Sequence, residues 1–211
     1  CEYLVPDNSQ EDGYRHYYED EEYPTLNHGD KLLTADYEYT YDDHGGWFVA
    51  VRDTSKQAYG VTLSEINGQP VAYMQATFKD CTNMVDITSA FENCTSLLVA
   101  PSIPDSVTDI TRAFANCTAL TSLKGVSKNI HDLQDAFLNC ENLTGTLAFN
   151  VSAMEGDSTN SKAFNGTRKH ILLRDISGEP NTHLFYVAGD NWSGFGGNVY
   201  VEGYEDIEKS N

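Results

Sequence analysis

The sequence predicts an α/β repeat fold: a short solenoid with one strand and one helical turn per unit of about 23 residues, and a β-rich cap at each end. The motif Ala-Phe-Xaa-Asn-Cys-Xaa-Xaa-Leu occurs three times, and its phenylalanines Phe91, Phe114 and Phe137 are 23 residues apart. Looser copies contain Phe78 and Phe164. A fixed period of this length is typical of a solenoid, in which each unit buries its apolar face against its neighbours.

The helical element of each unit is predicted from the spacing of apolar residues before the cysteine. In the central copy these residues are Val107, Ile110, Ala113 and Phe114, followed by Cys117. Steps of three and four residues indicate one face of a short helix or of successive 3₁₀ turns. A short stretch of β character follows the leucine of each motif and predicts one strand per unit. The first unit is only 13 residues long, so we expect it to lack this strand.

Equivalent positions of stacked units must superpose, which predicts a buried structural ladder. Its members are Phe78, Phe91, Phe114, Phe137, Phe164, Cys81, Cys94, Cys117 and Cys140. Parallel cysteine side chains stay about one strand spacing apart, roughly 4.8 Å, whereas a disulfide brings its Cβ atoms to about 3.8 Å. The sequence also contains no CxxC or CxxH spacing for tetrahedral metal ligation. We therefore expect these cysteines to be reduced, buried and free of metal.

The stretch from Cys94 to Cys117 contains the most specific sequence features of the chain. It resembles the BspA-like leucine-rich repeats of bacterial surface proteins, and the similar region covers roughly residues 71–150. The flanking segments 47–56 and 63–71 look like the part that precedes such repeats in gut-bacterial members. This resemblance implies a leucine-rich-repeat solenoid and a role in cell adhesion to host or bacterial surface components.

Four regions are predicted along the chain. Residues 1–30 form an acidic, tyrosine-rich tether, residues 31–70 an N-terminal β cap, residues 71–170 the repeats, and residues 171–211 a C-terminal β cap and tail. The caps are needed because the end of a solenoid exposes its apolar core and a strand edge. Alternating apolar residues after position 31 are typical of a hairpin or meander.

The tether is predicted from its acidic composition. The chain has a net charge of −19, which is concentrated toward its amino-terminal end and makes nucleic acid and anionic lipids poor partners. Self-repulsion and the lack of aliphatic side chains would keep residues 1–30 extended and mobile. In the alternative, Tyr14, Tyr17, Tyr18 and Tyr23 dock on the solenoid and cover its first unit.

Cys1 stands outside the repeats and precedes a polar segment. A mature bacterial lipoprotein begins with a lipid-bearing cysteine, so one hypothesis is lipid attachment at Cys1 and an extracellular location at the cell surface. The alternative is that the chain was cut at this position. The sequence contains no apolar run of about 18 residues, so no membrane-spanning segment is predicted.

Catalytic motifs are missing from the sequence. The six histidines are scattered, and there is no GxSxG, P-loop or HExxH motif. We therefore predict no enzymatic activity, no catalytic or metal-binding residues and no cofactor. The turns at Asp42-Asp43-His44 and Asp190-Asn191 could contact a cation, but such sequences are typical of ordinary turns.

The function predicted from these features is that of a monomeric, non-enzymatic surface module for protein–protein recognition or adhesion, with ligand-binding residues that the sequence does not identify. One alternative is a structural spacer or cap within an envelope or appendage assembly. Another is a glycan-binding module in which Trp47, Trp192 and the tyrosines stack on sugars.

Overall fold

The N-terminal part of the chain is a seven-stranded sheet. The computed structural model describes residues 1–18, 21–22, 25–123, 128–150, 158–177 and 183–204. The strand order in this sheet is β2-β1-β3-β4-β5-β7-β6, antiparallel except for the parallel pair β5 and β7. Its strands are β1 (Glu2–Pro6), β2 (Tyr14–Tyr18), β3 (Lys31–Leu33), β4 (Tyr37–Asp42), β5 (Gly46–Val51), β6 (Glu65–Ile66) and β7 (Gln69–Tyr73).

The prediction that residues 1–30 form a mobile tether is wrong, because β1 and β2 belong to this sheet. β1 lies between β2 and β3. The ring of Tyr3 is fully buried, packs edge-on against Trp47 at 6.4 Å between centroids, and donates its hydroxyl to Asp30 at 2.9 Å. The aromatic side chains thus supply the buried surface that the acidic composition seemed to lack.

The docking alternative also differs from the structure. Tyr14, Tyr17 and Tyr18 lie in β2 and pair with β1 instead of covering the first repeat. Tyr23 lies outside the described residues. The N-terminal cap therefore begins at the start of β1, well before position 31.

The C-terminal part contains a second, parallel sheet with strand order β10-β9-β8. The strands are β8 (Gly145–Phe149), β9 (Ile171–Asp175) and β10 (Val199–Val201), accompanied by helix α1 (His183–Ala188). Short 3₁₀ segments span Ser158–Lys162, Gly189–Asn191 and Ser193–Phe195. The tail after Tyr204 lies outside the described residues. No helix in the described ranges is both long and apolar enough to cross a bilayer.

Stacked repeats connect the two sheets, and their backbone differs from the predicted helical turn. Within the first full repeat, the N–H groups of Ala90 and Cys94 bond three residues back, to Ile87 at 3.0 Å and Phe91 at 3.0 Å. The intervening N–H of Phe91 instead donates to the carbonyl of Ala113 in the next repeat, at 2.9 Å. The segment is therefore a chain of tight turns in which alternate N–H groups join neighbouring repeats.

Left-handed residues explain why the described part of the repeats forms tight turns instead of the predicted helix. In the central repeat Arg112 has φ 54° and Asn116 has φ 62°, values that a right-handed helix cannot contain. After the motif leucines of the first two full repeats, the predicted strands are reduced to a single-residue parallel bridge, Val99 with Ser122. After Leu143 the predicted strand forms as β8.

The short first unit is completed by a segment from outside the repeats. Ala58 forms a parallel bridge with Asp86. The backbone N–H of Thr62 donates to the carbonyl of Ala90 at 2.9 Å. Residues 57–62 therefore occupy the pairing position before the first full repeat and join the N-terminal sheet to the repeat stack.

Candidate functional site

The repeat phenylalanines form a continuous buried column. Phe91, Phe114, Phe137 and Phe164 are stacked, with centroid distances of 5.4, 5.8 and 5.2 Å and interplanar angles of at most 14°. Phe78 joins the column edge-on to Phe91 at 5.4 Å. All five side chains are at most 3% exposed. The column holds the repeats in register and so makes the outer surface of the stack rigid.

The four repeat cysteines lie beside this column as buried free thiols. The thiol of Cys117 donates to the carbonyl of Phe91 at 3.1 Å, and that of Cys140 donates to the carbonyl of Phe114 at 3.1 Å. Burial raises the pKa of Cys94 to about 11 and that of Cys140 to about 12. The folded protein therefore favours the protonated form of these thiols at neutral pH.

A ladder of asparagines runs along the outside of the repeats. Asn116 donates its side-chain amide to Asn93 at 2.8 Å, and Asn139 donates to Asn116 at 2.9 Å. All three have left-handed φ values of 59–66°. Gly166 occupies this position in the last unit, at φ 81°, where a Cβ atom would lie 2.2 Å from the side-chain oxygen Oδ1 of Asn139. Side-chain amides thus add a second constraint between repeats.

A concave surface lies where the N-terminal sheet meets the repeats. Two depressions, of about 290 and 340 Å³, share Gln75 and Ala76 and together form one groove. We call this surface the junction groove. It is lined by Glu38, Thr40, Phe48, Val49, Ala50, Tyr73, Gln75, Ala76, Phe78, Lys79, Ser102, Ile103 and Pro104.

An exposed aromatic pair stands at the sheet end of the junction groove. Phe48 is 45% exposed, and its ring stacks on Tyr73 at 4.4 Å with an interplanar angle of 21°. Strand alternation directs the flanking Trp47 and Val49 into the core and leaves Phe48 on the outer face. The Tyr73 hydroxyl packs over Gly45, where a Cβ atom would lie only 2.3 Å away. The glycine therefore makes room for this aromatic pair.

The charged groups of the junction groove lie toward its two ends. Glu38 is held by the Lys31 ammonium group at 2.7 Å. Lys79 is exposed at the repeat end, where Ile103 and Pro104 supply apolar surface. Gln75 adds an uncharged amide where the two depressions meet. The groove therefore combines apolar surface with a few polar groups, which suits binding of a ligand more than covalent chemistry.

Sequence reasoning did not identify the junction groove. Its residues come from β4, β5, β7 and two repeats, which are far apart in the sequence. The available signal was Phe48, an aromatic residue on the outward face of a strand whose inward face is also apolar. The groove residues on the repeat side carried no comparable signal.

The two tryptophans proposed for sugar stacking are engaged in protein contacts. Trp47 is 0% exposed and donates its indole N–H to the carbonyl of Ile66 at 3.1 Å. Trp192 packs edge-on against Phe185 and Phe195, each at 4.9 Å. A glycan site built on Trp47 is thus incompatible with the structure, and the ring edges around Trp192 are occupied by other aromatic residues.

Cys1 is exposed and immediately precedes β1. A group attached to its thiol would lie next to the N-terminal sheet and not at the end of a 30-residue tether, because β1 and β2 are paired strands of that sheet.

Comparisons with known proteins found leucine-rich-repeat structures. No family model and no curated protein matches the chain. A leucine-rich cell surface protein from Faecalibacterium prausnitzii A2-165 is 16% identical, covers 74% of this chain and has a TM-score of 0.38; the match spans only 42% of that protein. A leucine-rich-repeat protein from Bacteroides capillosus ATCC 29799 is 19% identical and has a TM-score of 0.33. That match covers 68% of this chain and 98% of the other protein.

A third solved structure, a leucine-rich-repeat protein from T. pallidum, is 16% identical, with coverages of 86% of this chain and 91% of that chain and a TM-score of 0.29. The solved structures similar to this chain are thus bacterial leucine-rich-repeat proteins.

Proposed function

We propose that this chain is a non-enzymatic, surface-located binding module that recognises a protein partner through the junction groove. The observation that carries the proposal is the exposed Phe48–Tyr73 pair in a groove that continues onto the repeats. Aromatic side chains seated in a concave surface are the residues that most often dominate binding energy in protein interfaces. A protruding loop or an extended segment of the partner fits such a groove.

The rigidity of the surroundings supports this proposal. The phenylalanine column and the backbone bonds between repeats hold one side of the groove. The paired strands β4, β5 and β7 hold the other side. A preformed groove loses little conformational entropy on binding, which favours affinity. The net charge of −19 further predicts faster association with basic partners at low salt.

The experiment is affinity capture from host mucosal extract and from bacterial surface fractions, with the wild type, Phe48→Ser and Leu98→Ser as parallel baits. Phe48→Ser removes the exposed anchor. The matched control Leu98→Ser changes a side chain that is 59% exposed but lies outside the groove. A partner retained by the wild type and by Leu98→Ser, but lost by Phe48→Ser, is then purified and its dissociation constant measured. We expect Phe48→Ser to weaken binding at least about tenfold, as for an anchor residue. Equal affinity of Phe48→Ser and wild type would refute the role of the groove.

A glycan ligand is the second candidate, because the same exposed ring pair lies next to the polar groups of Glu38, Thr40 and Gln75. Binding to a glycan array that Phe48→Ser abolishes, without a protein partner, would replace the first proposal by this one. A structural spacer predicts neither kind of ligand. The lipid on Cys1 stays a prediction, which mass spectrometry of the protein from its natural source would test.

A further inference from the structure

At one end of the central strands of the N-terminal sheet, two histidines and two aspartates come together. His28 belongs to the turn before β3, Asp42 is the last residue of β4, and Asp43 and His44 belong to the turn between β4 and β5. The Nδ1 atom of His28 lies 3.4 Å from Asp43 Oδ1 and 4.0 Å from Asp42 Oδ1. The Nδ1 atom of His44 lies 3.0 Å from Asp42 Oδ1 and 2.9 Å from Asp43 Oδ1.

These distances fit the ligand shell of a single metal ion. Four ligands at about 2.0–2.2 Å from a tetrahedral Zn²⁺ lie about 3.3–3.6 Å from one another. The ligand atoms of His28, Asp42 and Asp43 all lie within 4.8 Å of one another before any ion is bound. The Nδ1 atom of the exposed His44 lies within 3.0 Å of an oxygen of each carboxylate, which makes it the candidate for the fourth ligand.

The histidine in β2 shows what a non-chelating arrangement looks like. His16 contacts Glu2 through Nδ1 and Asp12 through Nε2, at 2.5 Å for the second contact. The two ring nitrogens point in opposite directions, so these carboxylates lie on opposite sides of the ring and cannot converge on one ion. In the His28–His44 cluster, by contrast, both imidazoles face the aspartates through Nδ1.

The backbone holds the two turns in a fixed relation. The N–H of Gly29 donates to the carbonyl of Tyr41 at 2.9 Å, and the N–H of Tyr41 donates to the carbonyl of Asp30 at 2.8 Å. Asp30 is itself fully buried, and its side chain accepts hydrogen bonds from Tyr3 and from the N–H of Asn27, each at 2.9 Å. The cluster is thus mounted on the sheet, which is the support that a metal site needs.

The charges of the cluster are not balanced by lysine or arginine. Among the described residues, the ion-pair partners found for Asp42 and Asp43 are only His28 and His44. With neutral imidazoles, two negative charges therefore lie side by side in a chain that already carries −19. A mixed imidazole and carboxylate set favours Zn²⁺ and related ions, whereas Ca²⁺ and Mg²⁺ take oxygen ligands.

We propose that His28, Asp42, Asp43 and His44 bind one divalent transition-metal ion of the Zn²⁺ type. The bound ion joins the turn before β3 to the turn between β4 and β5. It also fixes the turn that contains Gly45, against which Tyr73 of the junction groove packs. The site is independent of the identity of any partner in that groove.

The test is isothermal titration of the purified full chain with ZnCl₂ in a non-chelating buffer. All proteins carry Cys1→Ser, because the exposed thiol of Cys1 could itself bind the probe. We expect one Zn²⁺ per chain in the parent protein. Asp43→Asn and His28→Gln should each weaken binding at least about tenfold, since removing a ligand costs more than removing the groups that orient it.

His16→Gln is the matched control, since it removes a histidine that also contacts two carboxylates, and it should leave the affinity unchanged. Circular dichroism of each variant checks that the exposed substitutions leave the fold intact. A parent protein without saturable Zn²⁺ binding would overturn the proposal. So would affinity that is unaffected in Asp43→Asn and His28→Gln, or reduced equally in His16→Gln.

Discussion

The repeat stack and the N-terminal sheet are both built around aromatic side chains, but they use them differently. In the column of the repeats every ring is a phenylalanine, the spacing from Phe91 to Phe137 is 23 residues, and each ring packs on an identical ring. In the sheet the buried rings are tyrosines and a tryptophan with polar groups. The indole of Trp47 bonds to the carbonyl of Ile66, and the hydroxyl of Tyr39 accepts the N–H of Leu63 at 2.9 Å.

This difference shows two ways of organising a core. A phenylalanine column needs only the same side chain at the same position, so translation by one repeat reproduces every contact. In the sheet, Tyr37, Tyr39 and Trp47 each bond to one particular backbone group. Their targets lie in residues 60–66, beside the segment that pairs with the first full repeat. The sheet core therefore fixes the junction between the two regions, where the groove is found.

The largest effect is expected in the column. Phe114→Ala removes a side chain that is 0% exposed and stacked on both sides. It should lower the free energy of unfolding by about 3–5 kcal/mol in denaturant titrations. Leu98→Ala, at an exposed position of the repeats, should change it by less than about 0.5 kcal/mol. A loss below about 1 kcal/mol for Phe114→Ala would contradict the role of the column.

Alkaline pH should destabilise the repeats through their cysteines. The pKa of Cys94 is raised by burial from 9.0 to about 11, so the unfolded chain releases its thiol proton first. The stabilisation is complete below the unfolded pKa and is lost as pH rises toward the folded value, by on the order of 2–3 kcal/mol for this thiol.

Thermal melts in reductant from pH 8 to pH 11 measure this dependence. Cys94→Ala should lose less stability above pH 9 than the wild type, and Cys81, Cys117 and Cys140, whose pKa values burial also raises, account for the loss that remains. Its stability at pH 8 will be lower. Tyr39, whose pKa burial raises to about 12, adds a further loss only above the ordinary tyrosine range near pH 10. An unchanged melting temperature between pH 8 and pH 11 would show that the thiols are accessible in the folded protein.

In the sheet, Tyr39→Phe isolates one polar contact without changing the ring. The N–H of Leu63 then loses the hydroxyl that accepts it, which should cost about 1–3 kcal/mol. Tyr18→Phe, at a 56% exposed position of the same sheet, is the control and should be close to neutral. If both substitutions are neutral in chemical denaturation, the hydroxyl of Tyr39 does not help to fix the junction.

The smallest effect is expected for the asparagine ladder. Asn116→Ala removes two side-chain bonds and places alanine at φ 62°, which should cost about 1–2 kcal/mol. Asn116→Gly also loses the side-chain bonds but tolerates the left-handed backbone, as Gly166 does in the last unit. Equal stability of the two variants in denaturant titrations would mean that backbone strain does not matter at this position.

Sequence alone was sufficient to locate the equivalent phenylalanine and cysteine positions of the repeats, but not to describe the backbone between them. Spacing of three and four residues predicted a helical turn, yet the same spacing also arises from consecutive tight turns. The left-handed residues, such as Arg112 and Asn116, select the second structure. Arginine is not a residue that usually signals a positive φ, so this choice could not be predicted from composition.

The first 30 residues also show that composition does not reveal tertiary contacts. Their acidic composition predicted a mobile tether, because a count of carboxylates contains no information on which aromatic rings become buried. Tyr3 contacts Asp30 and Trp47 because the pairing of the strands places these three residues together. The junction groove and the His28–Asp43 cluster likewise combine residues from separate strands and turns.

The sequence by itself therefore determined the features that repeat along the solenoid: the period and the positions of the phenylalanines and cysteines. It also determined that the ends need caps. These depend on identical residues at equal spacing, which can be counted. Tertiary structure alone decided how the caps are built, where the groove lies and which histidines face Asp42 and Asp43. These depend on single long-range contacts, and no periodic pattern in the chain encodes such contacts.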